Sequence, residues 1–122
     1  MTDLLPIIKS HLLDPDTLLR ELSWQPFREG IEISPIYDTA EGASAAFLKY
    51  EPGARVPMHE HTGWEHILVL QGSQSDTTKL YPAGTLLVHR PGSRHQVVSE
   101  EGCLVLAIWE RPVSFVAASE DR

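Results

Sequence analysis

Apolar positions change period along this chain. From Leu4 to Leu22 they recur at helical spacing, as Leu4, Ile8, Leu12, Leu19 and Leu22, and Asp14-Pro15 has the chemistry of a helix start. This predicts two short helices hinged near Asp14. Trp24, Pro26 and Phe27 read as a rigid apolar link, and residues 1–29 as an arm packed down on the rest of the chain, covering an open sheet edge. From Ile31 onward the period is that of strands, and residues 30–122 read as one domain.

The strand segments begin with Ile31 to Tyr37 and Ala45 to Tyr50, the latter closed by Glu51-Pro52-Gly53. Ile67 to Leu70 reads as a buried strand, and Gln71 to Lys79 as a polar loop. Leu80-Tyr81, Thr85 to His89 and Gln96 to Val98 are short strands between Pro-Ala-Gly and Pro-Gly turns. Cys103 to Trp109 is an uninterrupted apolar run, expected to be buried on both faces. Val113 to Val116 reads as an edge strand and Ala117 to Arg122 as a frayed end. Many short strands with glycine and proline turns predict an all-β sandwich or barrel. Leu68 and Leu70 should then sit on the outer face, opposite Ile67 and Val69, and favour a homodimer.

Composition narrows the function. The 122 residues with 42% hydrophobic content suit one core, and a formal charge of −7 with no basic cluster argues against nucleic acid. One cysteine, Cys103, allows no internal disulfide and reads as a buried, inert thiol. No apolar run approaches a membrane span, which leaves a cytoplasmic protein as the expectation. Neither a phosphate-binding glycine loop nor a nucleophile elbow is present.

The candidate chemistry lies in two segments. In Gly53 to Gly72, His59 and His61 are two residues apart and share a strand face, and Thr62-Gly63 can turn Glu65 back toward them. In Gly84 to His95, a third imidazole, His95, comes after a Pro91-Gly92 turn. Three imidazoles and a carboxylate are a first-row metal's donor set: zinc or iron first, nickel or manganese as alternatives. His66, adjacent to Glu65, should face away. His89 is read either as a strand residue of unfixed direction or as a proton carrier at a pocket mouth. Arg94 should point to the other face in a salt bridge, while Trp64 and Trp109 read as packing residues, Trp64 being near enough to wall the pocket.

Both segments resemble the cupin family. Gly53, His59, His61, Glu65 and Gly72 fit its first motif without a gap, and Gly84, Gly92 and His95 fit its second. Arg90 stands in place of a proline and Ser99 in place of an asparagine, neither a metal ligand in that family. The runs H-E-H-T-G-W-E, L-Y-P-A-G-T, P-G-S-R-H and E-E-G-C-L resemble the ChrR-like group, over roughly Trp24 to Trp109. The resemblance implies a jelly-roll barrel and a divalent metal on His59, His61, Glu65 and His95. It is compatible with three roles: a metal-dependent dioxygenase or related oxidoreductase on a small molecule, a zinc-containing module that senses a ligand or oxidant, or a metal-stapled structural barrel. An arm with only His11 and no cysteine lacks the metal motif of an anti-sigma helical domain, which weighs against a direct anti-sigma role.

Overall fold

In the computed structural model, which describes residues 4–116, the chain is built on strands. These are β1 (Gln25–Arg28), β2 (Ile31–Asp38), β3 (Ser44–Tyr50), β4 (Ala54–Glu60), β5 (Glu65–Ser75), β6 (Leu80–Pro82), β7 (Leu86–His89), β8 (Arg94–Ser99), β9 (Cys103–Trp109) and β10 (Ser114–Phe115). One helix, α1 (Pro15–Glu21), precedes them. The main strand order is β1-β2-β3-β9-β5-β8-β4-β10, with β6 and β7 also paired to β5. The all-β jelly-roll expectation therefore holds, as a curled antiparallel sheet.

The strand that curls it is β5. Its first part, Glu65 to Leu68, pairs with β7 and β9, while Ser73 to Ser75 pair with β6 and Ser75 meets β8. Between these parts the β5–β9 register slips at Val69/Gln71, an extra residue that bends the strand from one layer into the other. The segment from Gln71 to Ser75 is thus strand and not the expected loop. Ser73 and Gln74 are buried, the Ser99 hydroxyl donates to the Ser73 main-chain carbonyl at 2.6 Å, and the Ser75 hydroxyl donates to the Val98 carbonyl at 3.3 Å. Gly72 lies against Gly102 at φ +73°, where any Cβ would run into the Gly102 carbonyl oxygen.

Alternation of side chains divides the apolar residues into two sets. Ile31, Leu48, Ile67, Val69 and Val105 fill the barrel interior. Phe47 and Leu104 face outward, and α1 covers them with Leu18, only 2% exposed, flanked by Leu19 and Leu22. Leu70 joins this outer cluster, so it is occupied by the arm. Asp14 caps α1, its carboxylate accepting from the Thr17 amide and hydroxyl, with Pro15 at the first turn.

The second helix of the predicted pair is present and the first is not. Residues 4–13 are non-helical; Leu4 and Ile8 are 88% and 74% exposed. Pro6 interrupts the segment and His11 has φ 69°, so too few residues remain to nucleate a helix without a packing partner. The arm also covers a sheet face, while the edge of β2 is filled by β1, a strand where a simple link was expected. In β9, Cys103 to Val105 and Ala107 are buried but Ile108 is 39% exposed, so burial on both faces holds for only its first half. The expected frayed end, Ala117 to Arg122, lies outside the described residues. Among the described residues no helix is long and apolar enough to cross a membrane.

Leu18→Ala should cost about 2–5 kcal/mol of unfolding free energy, read by urea titration, because it empties the contact between α1 and the sheet. A loss below about 1 kcal/mol would mean that α1 is not held there.

Candidate metal centre

Register brings the polar residues together. His59 of β4 lies opposite His95 of β8. Glu65, at the start of β5, lies opposite His89 of β7 on one side and Trp109 of β9 on the other. His61 is in the connection between β4 and β5, where its amide donates to the Ser93 carbonyl and its own carbonyl accepts from the Gly92 amide. The Thr62-Gly63 turn does return the glutamate, and Glu65 Oε1 stands 3.1 Å from His61 Nε2.

Along β4 the alternation does not run unbroken to His59. Three residue steps from Val56 to His59 match two steps from Val97 to His95, so β4 carries an extra residue at Pro57-Met58. The bulge resets parity: Ala54 and His59, five apart, are both buried. It also turns the Pro57 carbonyl toward its neighbour, 2.8 Å from His59 Nδ1. A carbonyl only accepts, so Nδ1 carries the hydrogen and Nε2 of the neutral ring bears a lone pair. The same holds for His61, whose Nδ1 lies 3.0 Å from the Ser93 carbonyl and 2.9 Å from the Ser93 hydroxyl.

The inward nitrogens then face one another. His59 and His95 present Nε2 atoms 3.0 Å apart, and His61 and His89 stack at 4.6 Å with planes 7° apart. Nε2 of His61 and of His89 are buried without a hydrogen-bond partner, although the Glu65 carboxylate is 3.1 and 3.7 Å away. A bare lone pair facing a carboxylate is repulsive unless a cation lies between them. Donors on an octahedral ion with bonds of about 2.1 Å are about 3 Å apart, the spacing found here. One donor atom from each of His61, Glu65, His89 and His95 falls within 4.8 Å of the others, a set that could hold a metal ion.

Of the expected ligands, His61, Glu65 and His95 are in that set, and His59 borders it through His95. His89 is the added member. It faces inward with Leu87, and only its pairing with Glu65, set by register between distant segments, brings it to the cluster. Trp109 also has more than a packing role: its indole donates to Glu65 Oε2 at 2.7 Å, leaving Oε1 to face the imidazoles. His66 stays outside the cluster, Arg94 bonds Glu60 at 3.0 Å as expected, and Trp64 is exposed beside Arg90. Ser99 ties β8 to β5.

A cavity of about 670 Å³ reaches the cluster from one side. His59, Glu65 and His95 line it, its apolar wall includes Ile33, Val56 and Val97, and Phe27, Arg28 and Phe115 also face it. His61, 1% exposed, lies behind.

Burial drives His95 down to about 3, with His89, His59 and His61 adding like charge, and burial also lowers His59 and His89. Burial acts to raise the Glu65 carboxyl, but its polar surroundings, the hydrogen bond from the Trp109 indole among them, bring it below the usual value. The neutral imidazole and the ionised carboxylate are the ligand forms. Burial pushes the Cys103 thiol up to about 11, consistent with an inert residue.

Comparisons with known proteins agree with this fold. The family described as the ChrR cupin-like domain matches residues 17–111. The anti-sigma-E factor ChrR of Cereibacter sphaeroides is 33% identical over 99 residues, 80% of this chain and 46% of that protein. A crystal structure of Rhodobacter sphaeroides SigE in complex with the anti-sigma ChrR superposes with a TM-score of 0.67 at 31% identity, covering 75% of this chain and 51% of that one. An acetylacetone dioxygenase from Acinetobacter johnsonii superposes with a TM-score of 0.77 over 98% of this chain and 83% of its own, but at 14% identity this likeness is one of fold alone. The chain spans about half the length of the ChrR proteins it matches.

For metal-free protein the histidines set a pH dependence of stability. The unfolded chain takes up protons near pH 6.5, whereas folded His95 resists until about pH 3, so stability falls as pH drops through that window and is unaffected by this group above it. Urea midpoints in chelator at pH 7.5, 6 and 5 should decrease in that order. Equal midpoints would contradict neutral burial of these rings.

Proposed function

The chain belongs to the ChrR cupin-like family, and we propose that it is a metal-binding cupin acting on a small organic molecule as an oxidoreductase of the dioxygenase type. The observation that carries this reading is the cavity, which meets the cluster at His59, Glu65 and His95 and so gives a ligand access to the ion. His59, His61, Glu65 and His95 would hold one divalent ion, zinc or iron, as the family motifs imply. Support for this reading comes from the outer carbonyls that hold His59 and His61 in the ligating tautomer and from Trp109, which orients Glu65. A bound ion would supply Lewis acidity or, for iron, dioxygen chemistry. His89 then sits beside Glu65 as a fifth polar neighbour, and the apolar cavity wall excludes water.

A second reading is favoured by the 33% identity to an anti-sigma factor: a zinc-containing module that senses a ligand or oxidant, with a sigma-factor partner as in the ChrR complex. Oxygen uptake by the iron-loaded protein with a panel of small enolisable and aromatic acids separates the two. Uptake with at least one acid is expected; none, with zinc as the metal found on purification, leaves the sensing reading.

Elemental analysis checks the ligands. Wild type should carry about one ion per chain, His59→Ala and His95→Ala should lose most of it, and His89→Ala should keep it. Trp109→Phe should weaken metal affinity by about 10- to 100-fold without unfolding the protein, since it releases Glu65 Oε2. Full occupancy in both His59→Ala and His95→Ala would refute the site.

A homodimer is part of the same proposal. Leu86 and Val88 are 58% and 47% exposed on the outer face of β7, beside Leu68 and Ile108 on the neighbouring strands. With Leu70 covered by the arm, this patch replaces it as the apolar surface to be buried. Sedimentation at micromolar concentration should give a dimer, and Val88→Glu a monomer.

A further inference from the structure

One cation faces the cavity without a carboxylate partner. Arg28, the last residue of β1, lines the cavity half-buried, and among the described residues no carboxylate lies within ion-pair distance of it. Its guanidinium lies over the Phe115 ring at 4.7 Å, and that ring is 5.8 Å from the His59 ring. These two steps put the guanidinium no more than about 10.5 Å from the His59 ring.

The rest of the lining suits an organic anion. Ile33, Leu48, Val56, Ile67 and Val97 give apolar wall, and the cavity's acids are Glu65, turned to the imidazoles, and Asp38, which is exposed and outside ion-pair distance of Arg28. A guanidinium is rarely left unmatched in a partly desolvated, apolar cleft, because its fork geometry suits a carboxylate. The chain as a whole is −7, so its field repels anions and the preference must be built locally.

We infer that the cavity takes a small organic carboxylate, with its carboxylate paired to Arg28 and its apolar body along Ile33, Val56 and Val97 toward the His59 and His95 end. The inference deepens the proposed function, resting on its reading of the cavity as a small-molecule site, and adds the class of molecule.

The probes are hexanoate and its neutral isostere hexanamide, titrated calorimetrically into the purified full chain with its metal content counted on the same sample. Hexanoate should bind at least about tenfold more tightly. Arg28→Gln should bring the two within about threefold, Arg28→Lys should fall between, and the metal count should be the same in all three proteins. Hexanoate and hexanamide binding alike, neither binding, or a preference that survives Arg28→Gln would overturn the assignment; the last result would place the preference on the ion. A wild type free of metal would count against the metal site, while the Arg28 comparison would still decide the ligand class.

Discussion

The arrangement depends on holding four imidazoles and a carboxylate close together inside an apolar barrel. Such groups normally pair with one another, yet Nε2 of His61 and of His89 have no hydrogen-bond partner and face Glu65. An unmatched buried polar group costs about 1–3 kcal/mol. Several at one point form a group that could hold a cation, and a bound cation would offset that cost. This explains why the supporting bonds point outward. Pro57 and Ser93 carbonyls hold the far nitrogens of His59 and His61, and the Trp109 indole holds the far oxygen of Glu65.

Much of this was legible from residue order. The gapless spacing of Gly53, His59, His61, Glu65 and Gly72, with Gly92 and His95 later, marked the elements that converge, and glycine and proline turns marked the strand ends between them. The family resemblance read from those residues is borne out by the match over residues 17–111. What escaped was nonlocal. His89 and Trp109 each have inward parity, but their meeting with Glu65 comes from the pairing of β5 with β7 and β9, more than twenty residues away in sequence. Gln71 to Ser75 looked like a loop because its side chains are polar, whereas partners across the sheet, such as the Val98 carbonyl that accepts from the Ser75 hydroxyl, make polarity compatible with a strand. The missing first helix has a similar cause: the apolar period of Leu4 and Ile8 finds no surface to pack on, and Pro6 breaks the segment.

The departures from the family motifs are structural. Ser99 replaces an asparagine and uses its hydroxyl to lock β8 onto β5 at 2.6 Å, fully buried. Arg90 replaces a proline, and the turn closes through hydrogen bonds from the Ser93 hydroxyl and amide to the Arg90 carbonyl. A carbonyl is available from any residue, so the turn that presents His95 does not require proline there.

Asymmetry of the site joins fold to function. His61 is held behind, by a turn that also carries the backbone of Gly92 and Ser93, while His59, Glu65 and His95 look into the cavity. Further wall is supplied by Phe27 and Arg28 of β1, the same strand that occupies the edge of β2, and by Phe115 of β10, which pairs with His59 on β4. The edge strands thus contribute to the cavity wall, and the strands between them carry His59, Glu65 and His95. Changes in β1 can alter the cavity mouth without disturbing β5, β8 or the bulge in β4, because β1 is hydrogen-bonded to β2 alone. A family with one shared donor set could therefore serve different ligands by varying its edges, and in this chain the edge residue that carries charge is Arg28.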